Sequence, residues 1–113
     1  MDTEDENVVQ LTGRVTGEGE PVTLPSGDIV HTVRVTVRRP ARRAARRVTV
    51  DAVDVACWTS ATRRVAGRLR TGDRVEVEGS LRRRFFRSGS GAPASRYEVE
   101  ATAVRKVTQA TEV

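Results

Sequence analysis

The sequence predicts an all-β domain, a small barrel of five strands with one short helix between the third and the fourth. Three observations carry that expectation. Apolar residues recur at every second position through most of the chain, the period of a strand with one buried face. Clusters of Gly, Pro, Ser and Asp separate these stretches and supply turn chemistry. A single stretch has helical spacing.

The first strand is "NVVQLTGRVTG", with Val9, Leu11, Gly13 and Val15 on one face, and Gly13 marks a bulge or a sharp bend. "LPSGD" at 24–28 is a turn, because Pro25 fixes φ and Gly27 tolerates positive φ. "IVHTVRVTV" is the second strand, with Val33, Val35 and Val37 opposite Arg34 and Thr36. "VTVDAVDVACW" is the third, and its apolar parity slips between Val50 and Val53, which predicts a second bulge. "TSATRRVAGRL" at 59–69 is the helix, capped by Thr59 or Ser60, with Ala61, Val65, Ala66 and Leu69 on one face. "TGD" at 71–73 turns the chain into "RVEVEGSLRRRFF", the fourth strand. "RSGSGAPAS" at 87–95 reads as a flexible loop, and "RYEVEATAVRKV" as the last strand. This order is that of an OB-fold, a Greek-key barrel. Residues 7–107 form the domain, residues 1–6 a disordered acidic start, and residues 108–113 a short extension.

The length of 113 residues suits one domain with a modest, valine-rich core. The net charge is +5, and of twenty basic residues only Lys106 is a lysine. A GC-rich genome favours Arg over Lys, but it does not explain why the arginines cluster. Six of them, Arg38, Arg39, Arg42, Arg43, Arg46 and Arg47, lie in the ten residues between the second and third strands. A second cluster, Arg82, Arg83, Arg84 and Arg87, surrounds Phe85 and Phe86. Such clusters fit a polyanion. One cysteine, Cys57, excludes an intrachain disulfide and reads as a core thiol. One histidine, His31, leaves no metal constellation, and no nucleophile–base set or phosphate-cradling glycine loop is present. The expectation is a protein that is not an enzyme and uses no cofactor, metal or small-molecule substrate. No charged-then-apolar leader opens the chain and no apolar run approaches the ~18 residues of a membrane span. A cytoplasmic, nucleoid-associated protein without a membrane role is therefore expected.

"NVVQLTGRVT", "LPSGD", "VDVACWTSATRRVAGRLRTGDRVEVEGSLRRRFF" and "RYEVEATAV" together resemble the bacterial-type single-stranded DNA-binding proteins, over roughly residues 7–107. The ordered set carries the resemblance, not any one motif. It implies an OB-fold that acts as a homo-oligomer, dimer or tetramer, in DNA replication, repair and recombination. It also implies that Trp58 and Phe86 fall on family stacking aromatics, while Ala52 replaces another. The arginine segment matches the family's extended hairpin. "TQATEV" shows no counterpart of the family's long tail with its acidic tip, so the chain reads as a short, Arg-rich variant.

The expected strand-binding set is Arg34, Arg38, Arg39, Arg42, Arg43, Arg46, Arg47, Trp58, Arg82, Arg84, Phe86, Arg87 and Tyr97. Arginines neutralise phosphates, and aromatics stack on bases whatever their identity. The alternatives are an accessory or assembly OB-fold protein acting through protein partners, and RNA binding.

Overall fold

The computed structural model describes residues 4–40, 47 and 49–108. The strands are β1 (Val9–Gly17), β2 (Pro21–Thr23), β3 (Ile29–Arg38), β4 (Val50–Cys57), β5 (Arg74–Arg87) and β6 (Pro93–Lys106), with one helix, α1 (Ser60–Ala66), between β4 and β5. The sheet order is β1-β5-β6-β4-β3-β2, and β1 also pairs with β3. That extra pairing closes five of the strands into a barrel, as the alternation predicts. The short β2, which pairs with β3, is an addition outside the barrel.

Closure rests on β1. Its residues Val9–Arg14 pair with β5 and its residues Arg14–Gly17 pair with β3. The strand must bend where it changes partner, and Gly13 stands at that place. A Cβ there would overlap the Thr36 carbonyl oxygen, so only hydrogen lets the two backbones approach. Asn7 lengthens the β1–β5 ladder by one step. Its side-chain amide accepts from Leu81 N and donates to Leu81 O, each at 2.8 Å.

The core is built from alternate strand residues. Val15, Val33, Val35, Val55, Val75 and Val77 are all at most 1% exposed, joined by Cys57, Leu69 and Ala66. Valine suits such a small barrel because its branched β-carbon packs on a pleated surface with little rotamer freedom to lose. Burial pushes the Cys57 thiol up to about 11, as expected of a core residue.

Three local readings differ from the sequence expectation. The second bulge is not in β4, whose register to β3 runs unbroken from Cys57↔His31 to Val50↔Arg38. Its parity slips because Val50, Asp51 and Ala52 are all exposed, beyond the enclosed part of the barrel. Register shifts lie instead between Val15 and Gly17 in β1 and between Glu78 and Gly79 in β5. Helix α1 buries Thr62 and Ala66, while Ala61 is exposed. Thr59 caps its start, accepting from Thr62 N at 3.1 Å. The stretch 87–95 is not one loop: its ends are ladder and only 88–92 turn, since β5 runs to Arg87 and β6 begins at Pro93. The turn between them is tight, with Gly91 at φ 85°.

A test of closure follows from the glycines. Gly13→Ala is expected to lower unfolding free energy by about 1–3 kcal/mol in urea titration, the usual cost of overpacking. Gly89→Ala, where an added Cβ meets nothing within 4 Å, is expected to be neutral. Equal stability of the two variants would contradict closure at Gly13.

Candidate nucleic-acid interface

Register assigns every side chain of the long β5–β6 hairpin to one of two faces. Leu81↔Val99, Arg83↔Tyr97 and Phe85↔Ser95 continue the side that faces the core lower down. Arg82↔Glu98, Arg84↔Arg96 and Phe86↔Ala94 form the outer side. The hairpin projects past the barrel, so aromatic rings on both sides reach solvent. Phe85 is 70% exposed, Tyr97 61% and Phe86 40%.

The outer side gathers an aromatic and cationic cluster. The Arg84 guanidinium lies over the Trp58 ring, 5.8 Å from its centroid, and that of Arg96 lies over Phe86 at 5.3 Å. Trp58 follows β4 directly and is partly buried. The Arg63 guanidinium holds its backbone by donating to the Trp58 carbonyl. Glu98 lies at the bottom of the cluster, 3% exposed, with Oε1 at 3.9 Å from Arg84 Nη1 and no hydrogen-bond donor among the described residues. A buried carboxylate so placed favours a guanidinium above it, and so holds Arg84 near Trp58. The other side carries a separate group, with Arg83 over both Phe85 at 5.0 Å and Tyr97 at 5.7 Å.

The outer surface continues across the barrel. Val55↔Val99 face inward and Ala56↔Glu100 outward, so the outer face of β4 adjoins that of β6. Arg34↔Asp54, Thr36↔Ala52 and Arg38↔Val50 extend it onto β3. Most of its arginines already have carboxylate partners. Arg34 meets Asp54 at 3.4 Å and Arg82 meets Glu100 at 3.3 Å. On the opposite side of the β3–β4 ladder, where Asp51 pairs with Val37, Arg39 grips Asp51 through two hydrogen bonds of 2.9 and 2.7 Å. Those bonds hold the Asp51 carboxyl below its usual range and raise Arg39.

The expected set therefore divides. Trp58, Arg82, Arg84 and Phe86 share one cluster, and Arg34 and Arg38 lie along the same surface, while Arg39 sits with Asp51 on the opposite side of the β3–β4 ladder. Arg87 and Tyr97 stand on the other side of the hairpin. Arg47 is exposed between β3 and β4, and Arg42, Arg43 and Arg46 lie outside the described residues. Arg96, Glu98 and Glu100 were not in the expected set. Strand alternation alone points to them once the hairpin turn is centred on residues 88–92. His31 is a core residue whose Nε2 carries the proton, donating to Glu18 O at 2.8 Å. Among the described residues, no group of three or more His, Cys, Asp or Glu side chains could hold a metal ion.

No curated protein sequence matches the chain. Among solved structures, one described as the Plasmodium falciparum SSB complex with ssDNA superposes with a TM-score of 0.76 at 23% identity, covering 96% of this chain and 100% of that one. At that identity the likeness speaks for the fold. The family model described as "Single-strand binding protein family" matches residues 6–107, which include all five barrel strands and the helix. With that match over nearly its whole length, the chain belongs to the single-strand binding protein family.

Proposed function

We propose that the chain binds single-stranded DNA without reading base edges, across the outer face of the β5–β6 hairpin and the barrel surface beside it. The observation that carries this reading is the convergence of Trp58, Arg84, Phe86 and Arg96 on one face. Bases stack on Trp58 and Phe86 or on the guanidinium planes above them, worth about 1–3 kcal/mol per base. Phosphates meet Arg34 and Arg38 of β3, Arg82 and Arg84 of the β5–β6 hairpin and the arginine segment between β3 and β4, which makes affinity fall steeply with salt. A role through protein partners alone is not favoured, because both the family and the aromatic–arginine face suit a nucleic-acid strand. The protein acts as a homo-oligomer in this reading. Among the described residues Val9–Thr12 pair with β5 alone, and their other edge can accept a second copy. Light scattering that finds only monomer at micromolar concentration would remove that part.

Two tests follow. Titration with poly-dT is expected to quench Trp58 fluorescence, with affinity falling as salt rises. Matched oligo-U is expected to bind more weakly. Absence of binding even at low salt would sink the reading, and tighter binding of oligo-U would make the ligand RNA.

The second test concerns the carboxylates. A phosphate must displace Asp54 from Arg34 and Glu100 from Arg82. Asp54→Asn with Glu100→Gln is therefore expected to raise affinity severalfold and to steepen the salt slope by up to about 1.4, or about 0.7 per freed contact. Asp28→Asn removes one such charge in the turn between β2 and β3 and controls for the general field. An unchanged slope in the double variant would mean that Arg34 and Arg82 do not meet phosphates.

A further inference from the structure

A cleft of about 380 Å³ opens on the outer surface between β1 and β3. Arg14, Arg38 and Arg74 line it, with the hydroxyls of Thr12, Thr16 and Thr36. Arg14 faces Thr36 on β3 and Arg74 on β5, so the bend in β1 brings three strands' arginines to one place. Thr16 and Thr36 share a hydrogen bond of 2.8 Å across the cleft.

Its electrostatics differ from the rest of the surface. Among the described residues, no carboxylate lines the cleft. Among the described residues, none of its three arginines forms an ion pair, whereas Arg34, Arg39, Arg82, Arg84 and Arg105 all do. Arg14 instead donates to the Gly72 carbonyl at 3.2 Å, which orients its guanidinium and leaves its charge uncompensated. Uncompensated guanidinium groups beside hydroxyl donors make a site for a phosphate oxyanion.

The cleft is continuous with the proposed DNA surface. Thr36 and Arg38 line it and also lie on the outer face that carries Arg34. From the β6 side of the hairpin, the strands β4, β3 and β1 intervene in turn. Three strand spacings make roughly 15 Å. We infer that this cleft is a second anchor for the phosphodiester backbone, which a strand reaches only after covering Trp58 and Phe86. The inference rests on the single-strand reading above and adds to it a direction of travel and a length requirement.

The test compares oligo-dT of two lengths, about 6 and about 16 nucleotides, at the two ends of the usual OB-fold site range. Arg14→Ala with Arg74→Ala is expected to leave the short oligomer's affinity unchanged. For the long oligomer it is expected to lower affinity about tenfold and to flatten the salt slope by about 1.4, the value for two lost contacts. Arg14→Lys with Arg74→Lys keeps the charges and is expected to restore most of that slope, which separates charge from folding. Equal losses for both lengths, or no loss for either, would overturn the anchor while leaving the single-strand reading intact. Failure of the unaltered protein to bind either length would overturn both. A free-anion role is checked with inorganic pyrophosphate. If pyrophosphate raises the melting temperature of the unaltered protein and not of the alanine variant, with no length effect on DNA, the cleft serves a free anion and not the strand.

Discussion

The double pairing of β1 is the constraint on which the rest depends. One strand serves β5 with its first half and β3 with its second, and the bend between the halves exists because Gly13 has no side chain to collide with Thr36 O. Closure buries the valines, since the two ends of the sheet otherwise leave Val15 and Val35 facing water. It also sets the exterior. Once inward positions are fixed by the core, alternation assigns every outward residue on β3, β4, β5 and β6 to one surface. The Arg14–Arg38–Arg74 cleft is a by-product of the same bend.

On that surface the arginines are organised by acids. The excess of positive charge arises from many guanidinium groups, but Asp54, Glu98 and Glu100 lie among them and hold Arg34, Arg84 and Arg82 in place. Exposed pairs of this kind contribute little to stability. Their effect is on binding, because each guanidinium is oriented in advance and each must exchange one anion for another. Glu98 differs from the others by its burial. It supports Arg84 against Trp58 from below and keeps a cation beside the ring that a base would use.

Much of this was legible in the sequence. The period of two, the turn residues at 24–28 and 71–73, and the lone helical stretch define the barrel, because each reflects a local rule that the fold does not override. The expected bulge in β4 failed for a physical reason. Val50 and Ala52 sit where the strand leaves the barrel, so parity carries no burial information there. Gly, Ser and Pro make 87–95 read as one flexible loop, whereas Ser88 to Gly91 make a tight turn and Pro93 opens the next strand. Trp58 and Phe86 were found through the family resemblance. The grouping of Arg96 and Glu98 with them was not legible, since it depends on a hairpin register that local pattern does not specify. The separation of Tyr97 from Trp58 has the same origin, for a one-residue change in register exchanges the two faces.

The central claim is that the two faces of the β5–β6 hairpin are not equivalent, and that bases lie on the Trp58–Phe86 face. Photo-crosslinking with an oligonucleotide carrying 5-iodo-deoxyuridine, mapped by mass spectrometry, tests it directly. The account predicts adducts at Trp58 and Phe86. Adducts confined to Phe85 and Tyr97 would contradict it and would move the binding face to the opposite side of the hairpin.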